Sequence, residues 1–293
     1  MSNTIELAKS FVPKLDECYR LASLTSVLDG APELAKQGAN ANELIIPMMS
    51  MDGLADYSRN GGYVQGGVTM TNETVKCNFD RGRRFTVDTM DDLETAGLAF
   101  GRLSAEFIRT KVVPELDAFR FAAYCGKTGV TKVEGALADG SAVLQALRAA
   151  STALDEAEVP LTERYLFITP TLLQGINDMD TTKSKKVLEG FEQVIKVPQR
   201  RFYTAIKQLS GKTGEEAGGY TKAAGAANIN FAIVQKDALI QYTKHAAPKI
   251  IAPENNPDAD AYVFGYRMVG IAKAYKNMPV SYTHLRAHET CAD

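Results

Sequence analysis

The residues able to do chemistry are few and scattered. Gly211-Lys212-Thr213 has the form of the end of a phosphate-binding loop. That loop also needs a glycine at position 206, so that backbone amides can wrap the phosphates, and the position holds Ile206. The reading left is an exposed loop. Asp178, Asp180 and Lys183 form a polar cluster. A hard cation wants six or more oxygens, so a solvated loop suits them better. Arg81, Arg83 and Arg84 could meet phosphates, but no aromatic platform lies beside them for base stacking. Arginines on a strand tip also serve protein–protein contacts.

Histidine and cysteine add little. His245 is followed by only two more histidines, His284 and His288, which stand with Glu289 and Cys291 in the last stretch. The run Val280 to Thr290 breaks the alternating pattern before it and resembles the translated read-through of a sequencing-library adapter. It is set aside here, and one histidine then supports neither a metal site nor a triad. Cys18, Cys77, Cys125 and Cys291 have no CxxC spacing, so thiols are expected, not a disulfide framework or a zinc site. No G-x-S-x-G, H-E-x-x-H or G-x-G-x-x-G motif occurs. No catalytic, cofactor-binding or metal-ligating residue is assigned, and the chain reads as a structural protein and not an enzyme.

Bulk properties agree. The chain has 293 residues, 45% hydrophobic and 23% charged, with net charge −2. That is ordinary globular composition without the field that draws a protein to nucleic acid or anionic lipid. No apolar run approaches a membrane span, and the first residues lack a secretion signal.

The elements that would carry these residues form an α+β pattern. Ile5, Ala8, Val12, Leu15, Tyr19 and Ala22 step by three and four, an amphipathic arm interrupted by Pro13. Leu44 to Pro47 is a short strand. Val75, Cys77 and Phe79, then Phe85 and Val87, alternate on either side of Asp80-Arg81-Gly82, which predicts an extended hairpin over 61–88. A lone hairpin is marginal in water, so this one needs cover from another chain. A helical stripe runs through Leu93, Ala96, Phe100, Leu103 and Phe107 and on through Val112, Leu116, Phe119 and Ala123. Asp91-Asp92 start it, Pro114 should kink or divide it, and Gly126 ends it. From Gly140 a mixed α/β region follows. It has a helix capped by Ser141, strands at Tyr165–Thr169 and Phe231–Val234, and a short helix at Lys236–Gln241. Ser210–Ala227 reads as a mobile loop, and strands close the chain at Lys249–Ile251 and Tyr262–Tyr275.

Three strings in order carry a resemblance. Asp52-Gly53-Leu54-Ala55-Asp56-Tyr57 leads to Gly61-Gly62-Tyr63-Val64; then come Asp80 to Asp88 and Val113 to Arg120. In order and spacing they resemble the major capsid proteins of tailed phages, with the Hong Kong 97-type fold, from about Phe11 to Asn277. The resemblance implies an N-terminal arm at 1–40, a linker and strand at 41–60 and an extended loop at 61–90. It implies a peripheral domain with a spine helix at 91–135, an axial domain at 136–258, peripheral return strands at 259–279 and the adapter-like tail at 280–293. It also implies a coat protein that self-assembles as pentamers and hexamers into an icosahedral head around double-stranded DNA. Scaffolding and portal proteins would be its partners, DNA would be held without sequence readout, and no membrane would be involved. Assembly would take place in the host cytoplasm and the product would be the virion. The alternative is an encapsulin-like shell. Arg81, Arg83, Arg84, Glu115, Asp117 and Arg120 are the candidate charged contacts between subunits.

Overall fold

The structure, a computed structural model, describes residues 22–30, 36–37, 43–90, 98–127, 130–179, 182–274 and 281–286. The expected arm before Ala22 and the helix start at Asp91-Asp92 lie outside them.

A mixed sheet and a three-stranded sheet are joined by one long helix. The mixed sheet runs β5 (Thr131–Gly135), β13 (Ser281–Arg286), β10 (Ile229–Gln235), β6 (Arg164–Ile168), β7 (Gln193–Lys196). Every residue of β6 and β10 is buried, as strands covered on both faces must be. Their side chains divide with period two. Leu166, Ile168, Phe231 and Ile233 meet helices α3 (Gly140–Glu156) and α4 (Pro170–Asn177) through Val143, Leu147, Ala150, Leu173 and Ile176. Tyr165, Phe167, Ala232 and Val234 face the other way, onto the long helix. Helix α3 is capped by Asp139, whose carboxylate accepts from Ala142 N at 2.8 Å; Ser141, expected to be the cap, lies one residue inside.

The long helix has two parts, α1 (Leu98–Phe107) and α2 (Val113–Cys125), spliced by a widened π-type turn at Ile108–Val112. Pro114 explains the splice. A proline cannot donate to the carbonyl four residues back, and its ring crowds that carbonyl. The helix widens so that Val113 N reaches Ile108 O, five residues back, and the rod continues unbroken for about 40 Å. It ends at Gly126, where a Cβ would collide with Thr204 O. Close packing, not a left-handed turn, requires glycine here.

The second sheet runs β11 (Leu239–Ile251), β12 (Ala261–Ala274), β4 (Phe79–Asp88), all antiparallel. Phe79, Phe264, Tyr266 and Met268 pack on Ile108, Val113 and Leu116 of the rod. Strand β11 begins at Leu239, so a single tight turn at Lys236–Ala238 replaces the expected helix at 236–241.

The hairpin expected at 61–88 does not form. Strand β4 belongs to the second sheet, and β3 (Val68–Lys76) pairs instead with β2 (Glu43–Met51), along which β1 (Lys36–Gln37) forms a short edge. Asp80-Arg81-Gly82, read as a turn, lies inside β4 opposite Val269, Met268 and Arg267. A Cβ at Gly82 would sit 2.8 Å from Tyr266 O, so the glycine serves a close strand crossing. The corner falls earlier. The Asn78 amide donates to Ala272 O and accepts from Ala272 N at 2.8 and 3.0 Å, imitating a backbone pair while the chain turns.

The segment set aside as adapter-like also has a place. Strand β13 lies between β5 and β10, with Leu285 buried in the core beneath the rod. Main-chain pairing asks little of side chains, and β10 offers an edge that any extended segment can satisfy. Removing residues 281–293 should open that edge. The expected outcome is a lower melting midpoint and concentration-dependent light scattering; an unchanged melt would mark β13 as a passive occupant.

Candidate assembly surfaces

Five of the six charged residues marked as subunit contacts bond inside the fold. Asp117, on α2, is fully buried. Its carboxylate accepts from Ser23 Oγ (3.0 Å), Thr25 Oγ1 (2.7 Å), Leu24 N (3.1 Å), Thr25 N (3.3 Å) and Arg201 Nη1 (3.2 Å). Arg120, one turn on, is 2% exposed and donates to Thr25 Oγ1, Asp29 Oδ1 and Thr243 Oγ1. Gln241 Nε2 donates to Thr25 O and Asp29 Oδ1, and Tyr124 Oη donates to Gln241 Oε1 at 2.7 Å. Segment 22–30, the rod and β11 are therefore tied in one polar knot. A buried charge is tolerated only when paired and hydrogen-bonded, and Asp117 is both.

Arg81 is the third. Its Nε donates to Glu115 Oε1 at 2.7 Å and its Nη2 to Leu209 O at 2.7 Å. Glu115, the fourth, is nearly buried, and burial pushes its carboxyl above the usual range against the lowering pull of Arg81. The spacing of these charges along a helix and a strand was plain in the sequence; that they point inward was not, because no periodicity marks a buried ion pair. Arg83, the fifth, is exposed and donates to Glu216 O and Ala217 O, and Arg84 is exposed.

The loop containing Gly211-Lys212-Thr213 is occupied by its own carboxylates. It joins β8 (Ile206–Gln208) to β9 (Tyr220–Lys222), which pair as a hairpin. Ser210 N donates to Glu215 Oε2 and Gly214 N to Glu216 Oε1, each at 2.7 Å. Lys207, with the amide and hydroxyl of Ser210, lowers the Glu215 pKa to about 2. Two amides that a phosphate would compete for, those of Ser210 and Gly214, are thus taken by carboxylates. The loop, expected to be mobile, carries internal bonds of its own.

The other candidate residues gather into no site. Asp178 ends α4 and accepts from Gln174; Asp180 and the Lys183 side chain lie outside the described residues. His245 lies beside an irregularity in β11. Cys77 and Cys125 are thiols, and no group of three metal-ligating side chains occurs among the described residues. Among the described residues no helix is long and apolar enough to cross a membrane.

The surface that stands out is the β2–β3 ribbon. Its nine-residue strands would reach about 30 Å. The neck is closed by Asp52, whose N donates to Gly67 O and whose carboxylate accepts from Gly67 N at 2.7 Å. The tip is closed by paired main-chain bonds between Ser58 and Gly62, with the Tyr57 and Tyr63 rings 4.9 Å apart. Near its base Val75 packs on Ile240 and Ile271. Beyond that, Met49, Met51, Tyr57, Val64, Val68 and Met70 are each 61–68% exposed, Tyr63 is 90% exposed and Leu54 is fully so. An ordered ribbon with this much apolar surface in water marks an interaction site.

No family model matches the chain, and no curated protein matches it by sequence. Solved structures match it by shape. The capsid of cyanophage P-SCSP1u aligns over 87% of this chain and 86% of its own, with TM-score 0.55 and 11% identity. A Mycobacterium phage Che8 chain aligns over 84% and 85%, with TM-score 0.54 and 12% identity. A virus-like particle from Pyrococcus furiosus aligns over 92% and 98%, with TM-score 0.51 and 11% identity. The fold is therefore the α+β fold of phage capsid chains, as the motif strings implied.

The Asp117 knot gives a direct test. Asp117→Ala should lower unfolding stability by about 3 kcal/mol or more in urea denaturation, because Arg201 and the bound amides lose their acceptor. A loss below about 1 kcal/mol would show that the knot is not what fixes segment 22–30.

Proposed function

We propose that the protein is the major coat subunit of a tailed-phage head, assembling with copies of itself as pentamers and hexamers around double-stranded DNA. The observation that carries this reading is the exposed apolar ribbon, Met49 to Met70, on a subunit whose fold is that of phage capsid chains. Such a ribbon is poor design for a monomer. It becomes sensible when each copy lays it on the next, since a specific contact buries roughly 1,600 Å² and repeated contacts add avidity.

On this reading the extended loop is 43–76, not 61–90, and the rod at 98–125 is the spine helix. The second sheet is the peripheral body, and the α3–α4 side of the mixed sheet is the axial body. The chain up to about residue 40 is the N-terminal arm, of which segment 22–30 is held by the Asp117 knot. The role is structural, not catalytic. A net charge of −2 suits a container for DNA, because many phosphate contacts would grip the cargo strongly and with steep salt dependence. Scaffolding and portal proteins are the partners this role calls for, and the virion is where the protein resides.

A second reading has a specific observation in its favour. The Pyrococcus furiosus particle is covered over 98% of its chain, so an encapsulin-like shell enclosing a protein cargo remains a rival. Neighbouring genes separate the two: terminase and portal genes favour the phage, a cargo enzyme the compartment.

The main test replaces Met49, Met51 and Met70 together by serine. These side chains are exposed, so the melting midpoint should shift by no more than a few degrees. Sedimentation and electron microscopy should show closed particles for the parent chain and only small species for the variant. Normal particles from the variant would contradict the proposed role of the ribbon.

A further inference from the structure

The β8–β9 hairpin does more than fill a loop. It leaves the mixed α/β region and rests on β4 of the other sheet, where two arginines hold it. Arg81 Nη2 donates to Leu209 O (2.7 Å) and Gly219 O (3.3 Å). Arg83 donates to Glu216 O (2.8 Å) and Ala217 O (3.3 Å). Between hairpin, rod and β4 lies a cavity of about 910 Å³, walled by Phe85, Phe107 and Tyr266 on one side and by the 209–221 backbone on the other.

Two features set this contact apart from ordinary packing. The first is its chemistry. Every acceptor the hairpin offers to these arginines is a neutral carbonyl, and Arg83 is exposed. Charged donors prefer anionic acceptors, so bonds to carbonyls in reach of water are among the first to open. The second is internal order. Leu209 N donates to Gly219 O, Lys207 Nζ pairs with Glu215 at 2.7 Å, and the glutamates cap the loop amides. The hairpin can therefore leave β4 as a unit, and a two-stranded hairpin without its seat is marginal in water, so its own amide bonds open more readily once it is released. The φ of Gly218, +63°, favours glycine there, and the absent Cβ leaves room for Arg83 Nη1 to approach.

We propose that residues 209–219 form a releasable strap, pinned by Arg81 and caught at its outer end by Arg83, which clasps the mixed α/β region to the three-stranded sheet and closes the cavity between them. Glu115 sets the pin by orienting Arg81 from the rod. Arg83 is the safer residue to change, since its side chain lies outside the core.

Hydrogen exchange by mass spectrometry on the full chain tests the strap, with Arg83→Gln and Arg81→Gln beside the parent. Losing a charge-assisted bond should raise exchange across 209–219 by about tenfold in Arg83→Gln and by more in Arg81→Gln. Amides of α3 and β10 should keep parental rates. Trypsin should cut after Lys212 correspondingly faster in both variants. Parental exchange at 209–219 in Arg83→Gln would overturn the proposal. So would a rise spread equally over α3 and β10, because that would make the arginine a general support of the fold.

Discussion

A single buried carboxylate decides how the parts of this molecule sit together. Asp117 stands on the rod, takes two backbone amides and two hydroxyls from segment 22–30, and takes an arginine from the turn after β7. A carboxylate without exposure is stable only with such a set of donors, so the segments cannot drift apart without leaving a naked charge. Around it the rod meets both sheets: Leu116 reaches the three-stranded sheet, while Phe121 and Tyr124 reach the mixed one. The knot thus fixes the rod, the rod fixes the sheets, and segment 22–30 is held against both.

Sequence patterns located elements better than partners. The rod was legible as a stripe from Leu103 to Ala123, and strands β6, β10 and β12 as apolar or alternating runs. Pairing was not legible, because β3 and β4 each alternate and nothing in a period of two says which neighbour a strand will choose. Asp80-Arg81-Gly82 carries turn composition but spends it otherwise: Asp80 pairs with Arg267 across the sheet, and Gly82 lets a strand pass closely. Pro114 was legible as an interruption, yet one π-type turn absorbs it. The charged residues were found by type and misread by direction. Asp117 and Arg120 point inward at partners about ninety residues away, which local spacing cannot reveal. The segment at 281–286 shows the reverse case: it breaks the preceding alternation and still supplies backbone to the β10 edge.

What remains outside the core explains why the subunit reads as incomplete alone. A folded chain in water leaves some apolar atoms exposed, but scattered ones. Here most of the large exposed ones among the described residues lie along one ribbon, held by its own ladder and stitched at neck and tip. The ribbon's order costs backbone entropy without a matching return inside the monomer. Burial on another copy, as proposed, would supply that return; the fold is shared with phage capsid chains.

Methionine oxidation reads that burial directly. Assembled particles and dissociated subunits would be exposed to dilute peroxide and the rates at Met49, Met51 and Met70 compared by peptide mass. If copies cover one another's ribbons, all three should react about tenfold or more slowly in particles than in free subunits. Equal rates in the two states would show that the ribbon stays bare in the assembly and that shell formation rests on other contacts.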